Sequence, residues 1–478
     1  MSELSPLAPL PSELPIASDT PIALHDNVKL FGHDFITGGA PWRLLHLAGG
    51  SMSVARRWKQ GARVGPGEQR FARTLVQQGV AYPLYQGALE VDDVDVIIPV
   101  HDDIASLRTL LYELRGLHVT VVDDASLDPL LLTEITNHFA VPVVRLDENR
   151  GPAGARNAGA NETQRPMMWF VDVDVVMHDA HEVLRRLSLQ CQDPLIAASA
   201  PRIRGARGST IRDHFEERFS PLDLGAHSSL VAPGSRVSFV PSACLLVRRA
   251  AFDGFDESLR VGEDVDFVWR LHDRGWLVRY LAEVVVTHRA RTTWRQWFDQ
   301  RVNYGTSAAA LAARHGERVA PLRSDVWTLA AWAAVLARRP ALAARIVSVV
   351  RTRLRDRLGT TSSEPDLVTN EIVLQGMIRS VGPLARSLVR TFGPGLLLLS
   401  FVPRFRRRAL FVFALGTLWR FREQRPHWGD VPLAVADDAA YGVGVVKGAF
   451  EQRSLQVLTP RISSSSVRAK DLFRLKLR

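Results

Sequence analysis

The sequence contains little cysteine, no long apolar run and no recognisable export signal, and each absence excludes a class of protein. Only Cys191 and Cys244 occur among 478 residues, which excludes a disulfide framework and predicts two buried thiols. A membrane-spanning helix needs about 20 consecutive apolar residues, and Arg or Pro interrupts every apolar run before that length. Met1–Thr20 lacks the basic start and apolar core of a secretory signal. A cytoplasmic protein is therefore predicted.

Positive charge is in excess, and it is unevenly distributed. Sixty Lys and Arg face fifty Asp and Glu, a formal net charge of +10, and basic residues cluster at Arg404–Arg408 and near the C-terminal end. Apolar runs at Val326–Leu336, Leu396–Val402 and Ala409–Trp419 are predicted to be buried or interfacial helices. The charge suits an anionic membrane surface or a phosphate-bearing substrate, so peripheral contact with the inner face of the cell membrane is predicted. No nucleic-acid-binding module accompanies the charge, and no nucleic-acid partner is predicted.

Four segments differ in their sequence pattern. Residues 1–22 form a Pro-rich leader that is predicted to be flexible. Residues 23–88 combine a strand–turn–strand signal with helical periodicity, which indicates a small α+β module. Residues 89–305 alternate apolar runs of strand length with helical stretches, the signature of an α/β domain whose mostly parallel sheet carries helices on both faces. Residues 306–478 are rich in Ala, Leu and Arg and are predicted to be helical, with the membrane contact assigned there.

The third segment contains seven predicted strands, most of them nearly continuous apolar runs. Ligands of such sheets bind beyond the carboxyl ends of the strands, so the polar residues directly after each strand are the informative ones. The predicted strands are Val94–Val100, Val119–Asp123, Val141–Leu146, Met167–Val173, Leu195–Ala200, Ala243–Val247 and Val278–Val286.

Acidic residues and a glycine-rich run follow the second and third predicted strands. Asp123 and Asp124 end the second strand, and a run from Glu148 to Gly159 follows the third. An aspartate after a strand is often only a helix N-cap, and a glycine-rich run can open a helix without binding a ligand. Taken alone, these residues leave both interpretations open.

Asp172 and Asp174 follow the fourth predicted strand and indicate a metal site. On an extended segment, side chains two positions apart point the same way, and two neighbouring carboxylates repel unless a cation or proton lies between them. Mg²⁺ and Mn²⁺ take oxygen ligands and bridge to diphosphates, where they neutralise the charge that grows on a departing diphosphate. His288 ends the last predicted strand. It is predicted to be a third metal or diphosphate contact, with a surface or capping role as the alternative.

Glu263 and Asp264 open a predicted helix, since apolar residues at helical spacing follow them. One interpretation is that acidic residues in a first turn simply favour the helix dipole. The other, which we favour, is a carboxylate base that takes the proton from an acceptor hydroxyl.

These loops, in this order, resemble those of family 2 glycosyltransferases of the GT-A fold. The matching stretches are VIIPVHDD, VVDDAS, ENRGPAGARNAGA, FVDVDV, GEDVDFVWRL and VVVTH, within residues 91–305. The resemblance implies that Pro99 and Asp124, with Asp123 as the alternative, line the pocket for the donor's nucleobase. It also implies that Gly151 and Arg156 flank the donor.

The same resemblance assigns the chemistry. It implies that Asp174, together with Asp172, serves Mg²⁺ or Mn²⁺, and that Asp264, beside Glu263, is the catalytic base. The reaction is then expected to invert, giving a β-linkage from an α-linked nucleotide-sugar donor.

The whole chain is similar to the mycofactocin-system glycosyltransferase family. The matching stretches are GGAPWRLLHLAGG, FARTLVQQGVAYPLY, WRQWFDQRVNYGTSAAALAARH and DDAAYGVGVVKGAF. That family implies transfer of glucose from UDP-glucose, in β-1,4 linkage, onto a peptide-derived redox cofactor. Residues 23–88 also resemble small peptide-binding winged-helix modules, with a plain extension of the catalytic domain as the alternative.

Two other functions compete with this one. A membrane-associated polysaccharide or lipid glycosyltransferase is disfavoured because the chain lacks spanning runs and has no Q-x-x-R-W motif at Trp294–Arg301. A non-catalytic peptide-binding protein with a degenerate transferase domain is disfavoured because Asp172, Asp174 and Asp264 are all present.

Overall fold

The computed structural model describes residues 14–47, 49–87, 91–289, 293–359, 364–422, 426–463 and 473–475. Contacts divide the chain into two compact units. The first unit contains Gly39–Trp42 and the chain from Gly61 to the end of the central sheet, together with the segment that precedes Asp26. The second contains Asp26–Gly38, Arg43–Gln60 and the helices that follow the sheet.

The strands and helices are numbered in chain order. The strands are β1 (Ile22–Leu24), β2 (Lys29–Phe31), β3 (Phe35–Gly38), β4 (Arg43–Leu47), β5 (Ala81–Pro83), β6 (Val94–Val100), β7 (His118–Asp123), β8 (Val143–Arg145), β9 (Met167–Val171), β10 (Val175–Val176), β11 (Ile196–Gly205), β12 (Ser229–Leu230), β13 (Cys244–Arg248), β14 (Leu277–His288), β15 (Arg323–Asp325), β16 (Arg461–Ser463) and β17 (Phe473–Leu475). The helices are α1 (Ser51–Lys59), α2 (Gln69–Gln77), α3 (Ile104–Glu113), α4 (Pro129–His138), α5 (Gly151–Asn161), α6 (Ala180–Gln190), α7 (Ile211–Phe219), α8 (Glu263–Asp273), α9 (Trp294–His315), α10 (Val326–Leu336), α11 (Pro340–Leu358), α12 (Pro365–Phe401), α13 (Arg406–Trp419) and α14 (Asp430–Glu451).

The first unit is built on one mixed sheet with the order β10-β14-β11-β13-β9-β6-β7-β8, and β12 pairs with β14. The pairs β6–β7, β7–β8, β6–β9 and β11–β14 are parallel. Strand β13 runs antiparallel to both β9 and β11. The predicted mostly parallel α/β sheet is confirmed, and its long strands are antiparallel only at β13.

Helices cover both faces of this sheet. Val96 and Ile98 of β6 lie in a core that includes apolar residues of α3, α4 and α6. Ile97, between them, faces the other side, where α5 packs so closely that a Cβ on Gly159 would lie 2.4 Å from Ile97 Cγ2. The nearly continuous apolar runs of the sequence reflect this double burial.

The predicted strands correspond to β6, β7, β8, β9, β11, β13 and β14, with two instructive differences. Strand β9 ends at Val171 and not at Val173, because the chain turns at Asp172, whose carbonyl accepts a hydrogen bond from Val175 N at 3.0 Å. Strand β11 runs on to Gly205, through polar residues that the apolar pattern left out, because it pairs along the twelve residues of β14.

The second unit combines strands from early in the chain with the later helices. Strands β2, β3 and β4 form an antiparallel ladder, and β17 adds to β4 in parallel. Phe35 of β3 packs with Leu354 and Leu358 of α11. Helices α9 and α14 cross closely, since a Cβ on Gly305 would lie only 2.2 Å from the carbonyl oxygen of Tyr441.

These units divide the chain differently from the predicted segments. The module predicted at residues 23–88 is shared, with β1, α2 and β5 in the first unit and β2–β4 and α1 in the second. The boundary predicted at residue 305 falls inside α9, because its close crossing with α14 keeps the helix continuous. Part of the predicted flexible leader is ordered: Ile16 is buried, and its N–H donates to Gln69 O at 3.2 Å. Residues 1–13 lie outside the described residues.

Two predictions about exposure can be compared directly with the structure. Cys191 and Cys244 are free and buried, as expected. Burial raises the pKa of the Cys191 thiol to about 11 and that of Cys244 to about 12. Among the helices of the described residues, none is long and apolar enough to cross a membrane.

Candidate active site

Three neighbouring parallel strands bring most of the predicted donor residues to one edge of the sheet. Strands β7, β6 and β9 lie side by side in the same direction. Pro99 is the second-last residue of β6, Asp123 ends β7 with Asp124 next, and Asp172 directly follows β9. Gly151 begins α5 after β8, which is parallel to β7. The topology therefore gathers side chains that are far apart in the sequence.

Asp123 is buried and fully engaged within the protein. One carboxylate oxygen accepts a hydrogen bond from Ser126 N at 2.9 Å, and the other pairs with Arg145 of β8. These bonds fix the turn that follows β7. The contacts in the structure thus give Asp123 a local structural role, and its contact with a nucleobase stays a prediction.

Asp124 holds the start of α5 against the sheet. Its two carboxylate oxygens accept hydrogen bonds from Arg150 N at 2.7 Å and from Gly151 N at 2.9 Å. Gly151 has φ of +75°, a backbone conformation that favours glycine, and a Cβ there would lie 2.9 Å from Arg260 Nη1. Asp124 therefore caps a helix, as one interpretation of the sequence predicted, but the helix begins 27 positions later in the chain.

Arg156 is a buried cation between two carboxylates. Only 2% of the residue is exposed. Its Nη2 donates to Asp172 Oδ1 at 2.5 Å, and its Nη1 donates to Glu263 Oε1 at 3.0 Å. Burial acts to lower the pKa of Arg156, but Asp172, Glu263 and Asp264 outweigh burial and raise it. The charged guanidinium thus ties the end of β9 to the start of α8.

Asp264 lies at the start of α8 with a pKa that suits a base. The helix begins after Gly262, whose φ of +89° turns the chain sharply into it. Burial, followed by the negative charge of Glu263, raises the pKa of Asp264 to about 7, although Arg156 and the Val265 N–H oppose the rise. Burial also raises the pKa of Glu263. A carboxylate with this pKa can accept a proton near neutral pH.

Asp266 serves a different purpose on the same helix. Its Oδ2 accepts a hydrogen bond from Arg270 Nε at 2.8 Å, one turn further along α8. Asp266 is buried and pairs with Arg270.

Asp174 and His288 meet where β10 pairs with β14. The register places Val175 opposite His288, and His288 Nε2 lies 3.0 Å from Asp174 Oδ1. Asp172 and Asp174 do not sit on an extended strand, which corrects the reasoning from alternation: they flank a turn, and Asp172 faces Arg156 instead. The role of Asp172 at a metal stays a prediction.

The Asp174–His288 pair fits a metal ion whose remaining ligands come from the substrate and water. In the part of the chain that the structure describes, no three His, Cys, Asp or Glu side chains form a metal-binding group. Mg²⁺ sites in nucleotide enzymes, however, often use one or two protein ligands plus phosphate oxygens and water. One carboxylate and one imidazole supply such a partial set.

Arg260 and Glu257, which the sequence did not single out, contact residues beside the predicted donor loop. Arg260 Nη1 donates to Asn149 Oδ1 at 3.1 Å, beside Gly151. Glu257 accepts from Arg150 Nη2 at 2.6 Å. The available signal was their position in the short loop that leads into the predicted base helix.

Known proteins match this chain at two levels. The model of glycosyl transferase family 2 matches residues 95–255. The pre-mycofactocin glycosyltransferase of Mycobacterium tuberculosis is 32% identical over 448 residues, which covers 89% of this chain and 94% of that protein. The chain belongs to the family 2 glycosyltransferases. It is therefore an enzyme, and the predicted likeness to mycofactocin-system members is confirmed along most of its length.

More distant similarities cover less. The N-acetylglucosaminyl-diphospho-decaprenol L-rhamnosyltransferase of the same organism is 38% identical over 144 residues, 28% of this glycosyltransferase and 43% of that protein. A solved mannosyltransferase from Pyrobaculum calidifontis, in complex with GDP-Man and Mn²⁺, is 16% identical and covers 71% of this chain and 91% of that one, with a TM-score of 0.36. That score is too low for residue-by-residue comparison.

Proposed function

We propose that this glycosyltransferase transfers glucose from UDP-glucose to pre-mycofactocin, a peptide-derived redox cofactor, with inversion and in β-1,4 linkage. One observation carries the catalytic part: buried Arg156 joins Asp172, on the donor side, to the helix that presents Asp264. The acceptor is suggested by the relative that matches almost the whole chain. Glucose and the linkage rest on the family resemblance.

The donor is held by the loops at the edge of the sheet. Asp124 fixes the glycine-rich start of α5, and Arg150 and Arg260 supply positive charge beside it. A helix N-terminus and nearby arginines are favourable surroundings for a diphosphate. Pro99, at the end of β6, lies at the same edge and is assigned to the nucleobase pocket.

Asp174 and His288 would hold the divalent ion. When bound, Mg²⁺ or Mn²⁺ supplies positive charge to the departing diphosphate. Imidazole is a poorer ligand for Mg²⁺ than carboxylate or water, so His288 favours Mn²⁺ of the two.

Asp264 is the proposed base of a single displacement. The acceptor hydroxyl gives its proton to the Asp264 carboxylate while its oxygen forms a bond to the anomeric carbon. The bond from that carbon to the diphosphate breaks, and UDP leaves with the electron pair. Because attack and departure occur on opposite faces of the sugar, an α-linked donor gives a β-linked product.

The proposed location is the cytoplasm, with peripheral contact at the inner face of the cell membrane. The basic cluster Arg404–Arg408 supports that contact, since it is exposed apart from half-buried Arg408. A peptide-binding role for residues 23–88 is proposed only for the β2–β4 ladder, because the other elements of that segment belong to the first unit.

The test is a transfer assay with defined donors and acceptors. Purified enzyme is incubated with UDP-glucose, Mn²⁺ and synthetic pre-mycofactocin, and the product is identified by mass spectrometry and its linkage by NMR. A hexose adduct with a β-configured anomeric proton is expected, with UDP-galactose and GDP-mannose as comparison donors. A lipid-linked acceptor serves as the alternative substrate. Transfer only to the lipid, or an α-configured product, would refute the proposed reaction.

A further inference from the structure

The turn between α12 and α13 carries an exposed apolar tip. On the helix ends beside this turn, Leu398 and Phe401 of α12 are 70% and 78% exposed, and Phe411 of α13 is 57% exposed. Water-exposed apolar side chains clustered in one place mark an interaction surface. Leu398, Leu399 and Phe401 all lie within four consecutive positions, so the exposed apolar side chains are grouped rather than scattered.

The same turn is strongly basic and contains no acid. Residues 372–422 include nine arginines and neither Asp nor Glu. Two of the nine are neutralised within the unit, because Arg386 pairs with Asp438 and Arg420 pairs with Asp437 of α14. Arg406 and Arg407, at the start of α13, are exposed. The remaining surface carries both positive charge and exposed apolar side chains. A complementary partner has both anionic and apolar parts.

The turn has a shape and a backbone that a lipid interface tolerates. Phe392 interrupts the helical geometry of α12, so the terminal piece ends nine residues later at Phe401. Nine residues of helix extend about 14 Å, roughly half the hydrocarbon thickness of a bilayer. Within the turn, the N–H groups of Phe405 and Arg406 both donate to the carbonyl of Val402 at 2.9 Å. Internal bonding of this kind lowers the cost of leaving water.

The two helices hold the tip firmly. A Cβ on Gly382 of α12 would lie 1.8 Å from the Trp419 ring of α13, and one on Gly416 would lie 2.5 Å from Ala385 O. Helices in such close contact form a rigid hairpin, and a rigid hairpin presents its tip as one unit.

We propose that the α12–α13 turn is a bilayer-anchoring wedge, in which Leu398 and Phe401 enter the acyl region and Arg406 and Arg407 bind anionic lipid headgroups. The proposal identifies which surface and which class of lipid would give the peripheral membrane contact proposed above. It does not depend on the transfer reaction. The apolar tip requires a bilayer rather than a soluble anion, and the arginines require that the bilayer be anionic.

The role of the two arginines is tested by measuring binding of the protein to phosphatidylcholine vesicles with and without phosphatidylglycerol. Arg406→Gln with Arg407→Gln is expected to weaken binding to the anionic vesicles by about thirtyfold. The matched control, Arg207→Gln with Arg295→Gln, removes the same charge from side chains that are 91% and 92% exposed elsewhere. It is expected to change binding little. Equal effects of the two pairs would reduce the interaction to net charge and overturn the wedge.

The apolar contact is tested with a matched pair of phenylalanines. Phe401→Ser is expected to weaken vesicle binding by about tenfold or more. Phe450→Ser, at a phenylalanine that is 76% exposed on α14, is the control and is expected to bind as wild type. The opposite ranking would place the membrane contact on α14.

Insertion of the tip into the bilayer is measured with a fluorescent probe on an added cysteine. Selective labelling is possible because both native thiols are buried. Leu398→Cys adds one exposed thiol, so a polarity-sensitive fluorophore labels it selectively; Leu130→Cys, on α4, is the control. A blue shift on adding anionic vesicles is expected only at position 398. The probe at position 398 could instead show no blue shift with vesicles, while binding of polyuridylate depends on Arg406 and Arg407. That result would indicate a nucleic-acid-binding surface. A shift without vesicles, with a dimer in sedimentation, would indicate a second copy, and either result would refute the proposal.

Discussion

The two units of this glycosyltransferase place their charged and apolar residues in opposite ways. Of the 33 exposed large apolar side chains among the described residues, 24 lie in the second unit. The first unit buries its apolar residues against the sheet, and one group of its buried charges surrounds Arg156 at the sheet edge. The second buries ion pairs between its helices, such as Arg301 with Asp437 at 3.0 Å, and leaves apolar residues outside. The first arrangement suits chemistry in a cleft, and the second suits a unit that meets an apolar phase.

The proposed chemistry and the proposed membrane attachment therefore fall in different parts of one chain. In the first unit, buried Arg156 is flanked by Asp172 and Glu263, and burial beside Glu263 raises the pKa of Asp264 to about 7. A buried charge in the second unit is compensated: Arg420 and Arg301 hold the pKa of Asp437 at about 2 even though burial opposes this. Variants in the two units should therefore fail in different assays.

The largest expected effect is on the base. Asp264→Asn removes the proton acceptor and is expected to lower kcat by about 10²–10⁴-fold, while UDP-glucose and Mn²⁺ binding persist, as measured by calorimetry. The matched control is Asp266→Asn, two residues along the same helix, which loses its bond to Arg270 and should affect stability more than turnover. The reverse ranking in the transfer assay would move the base to Asp266, and loss of donor binding in Asp264→Asn would make Asp264 structural.

The site was only partly predictable from the sequence, for a physical reason. Acidic residues at the start of α8 were recognisable because helical spacing follows them, and β6 was predicted with its observed ends. The link through Arg156 could not be recognised from the sequence, because it joins residues 107 positions apart and depends on packing between loops. Local pattern likewise misplaced the end of β9, where an apolar Val173 continued the signal through a turn.

The second unit was harder to predict because its apolar residues do not all mark a core. Helix α10 was predicted with its observed ends at Val326 and Leu336. The boundary predicted at residue 305 from the change in composition falls inside α9, where the missing side chain of Gly305 allows α14 to approach. In this unit a run of apolar residues indicates a helix but not which face is buried.

The next largest effect concerns the metal. Asp174→Ala removes one of the two protein ligands and is expected to weaken the Mn²⁺-dependent component of UDP-glucose affinity by about 10–100-fold. Glu134→Ala, which removes an exposed carboxylate from α4 in the same unit, is the control and should leave that component intact. Calorimetric titration of the donor with and without Mn²⁺ gives the comparison. An unchanged response to Mn²⁺ in Asp174→Ala would remove Asp174 from the metal site.

The two units are expected to be packed equally tightly in their interiors, although their surfaces differ. Gly159→Ala places a Cβ 2.4 Å from Ile97, and Gly382→Ala places one 1.8 Å from Trp419. Each is expected to cost about 1–3 kcal/mol, because neither neighbour can retreat cheaply, and to lower Tm by a few degrees. Gly376→Ala, also within α12 but with no atom within 4 Å of the added Cβ, is the control and should stabilise slightly. A neutral Gly382→Ala beside a destabilising Gly159→Ala would mean that the second unit is loosely packed throughout.

The smallest expected effect is a displacement of the pH profile. Asp264 must be ionised to accept a proton, and its pKa is about 7, so kcat/KM should fall as pH drops below about 7. The charge of Glu263 contributes to that raised pKa, second only to burial. Glu263→Gln removes the charge and frees Arg156 to act on the remaining carboxylates, and both changes favour ionised Asp264. The acidic limb of this variant should therefore move to lower pH. Its loss of turnover at the plateau should be milder than that of Asp264→Asn. Glu134→Gln, far along the chain and exposed, should leave the limb where it is in wild type. A limb that stays in place in Glu263→Gln, or moves to higher pH, would show that the group titrating near neutrality is not Asp264.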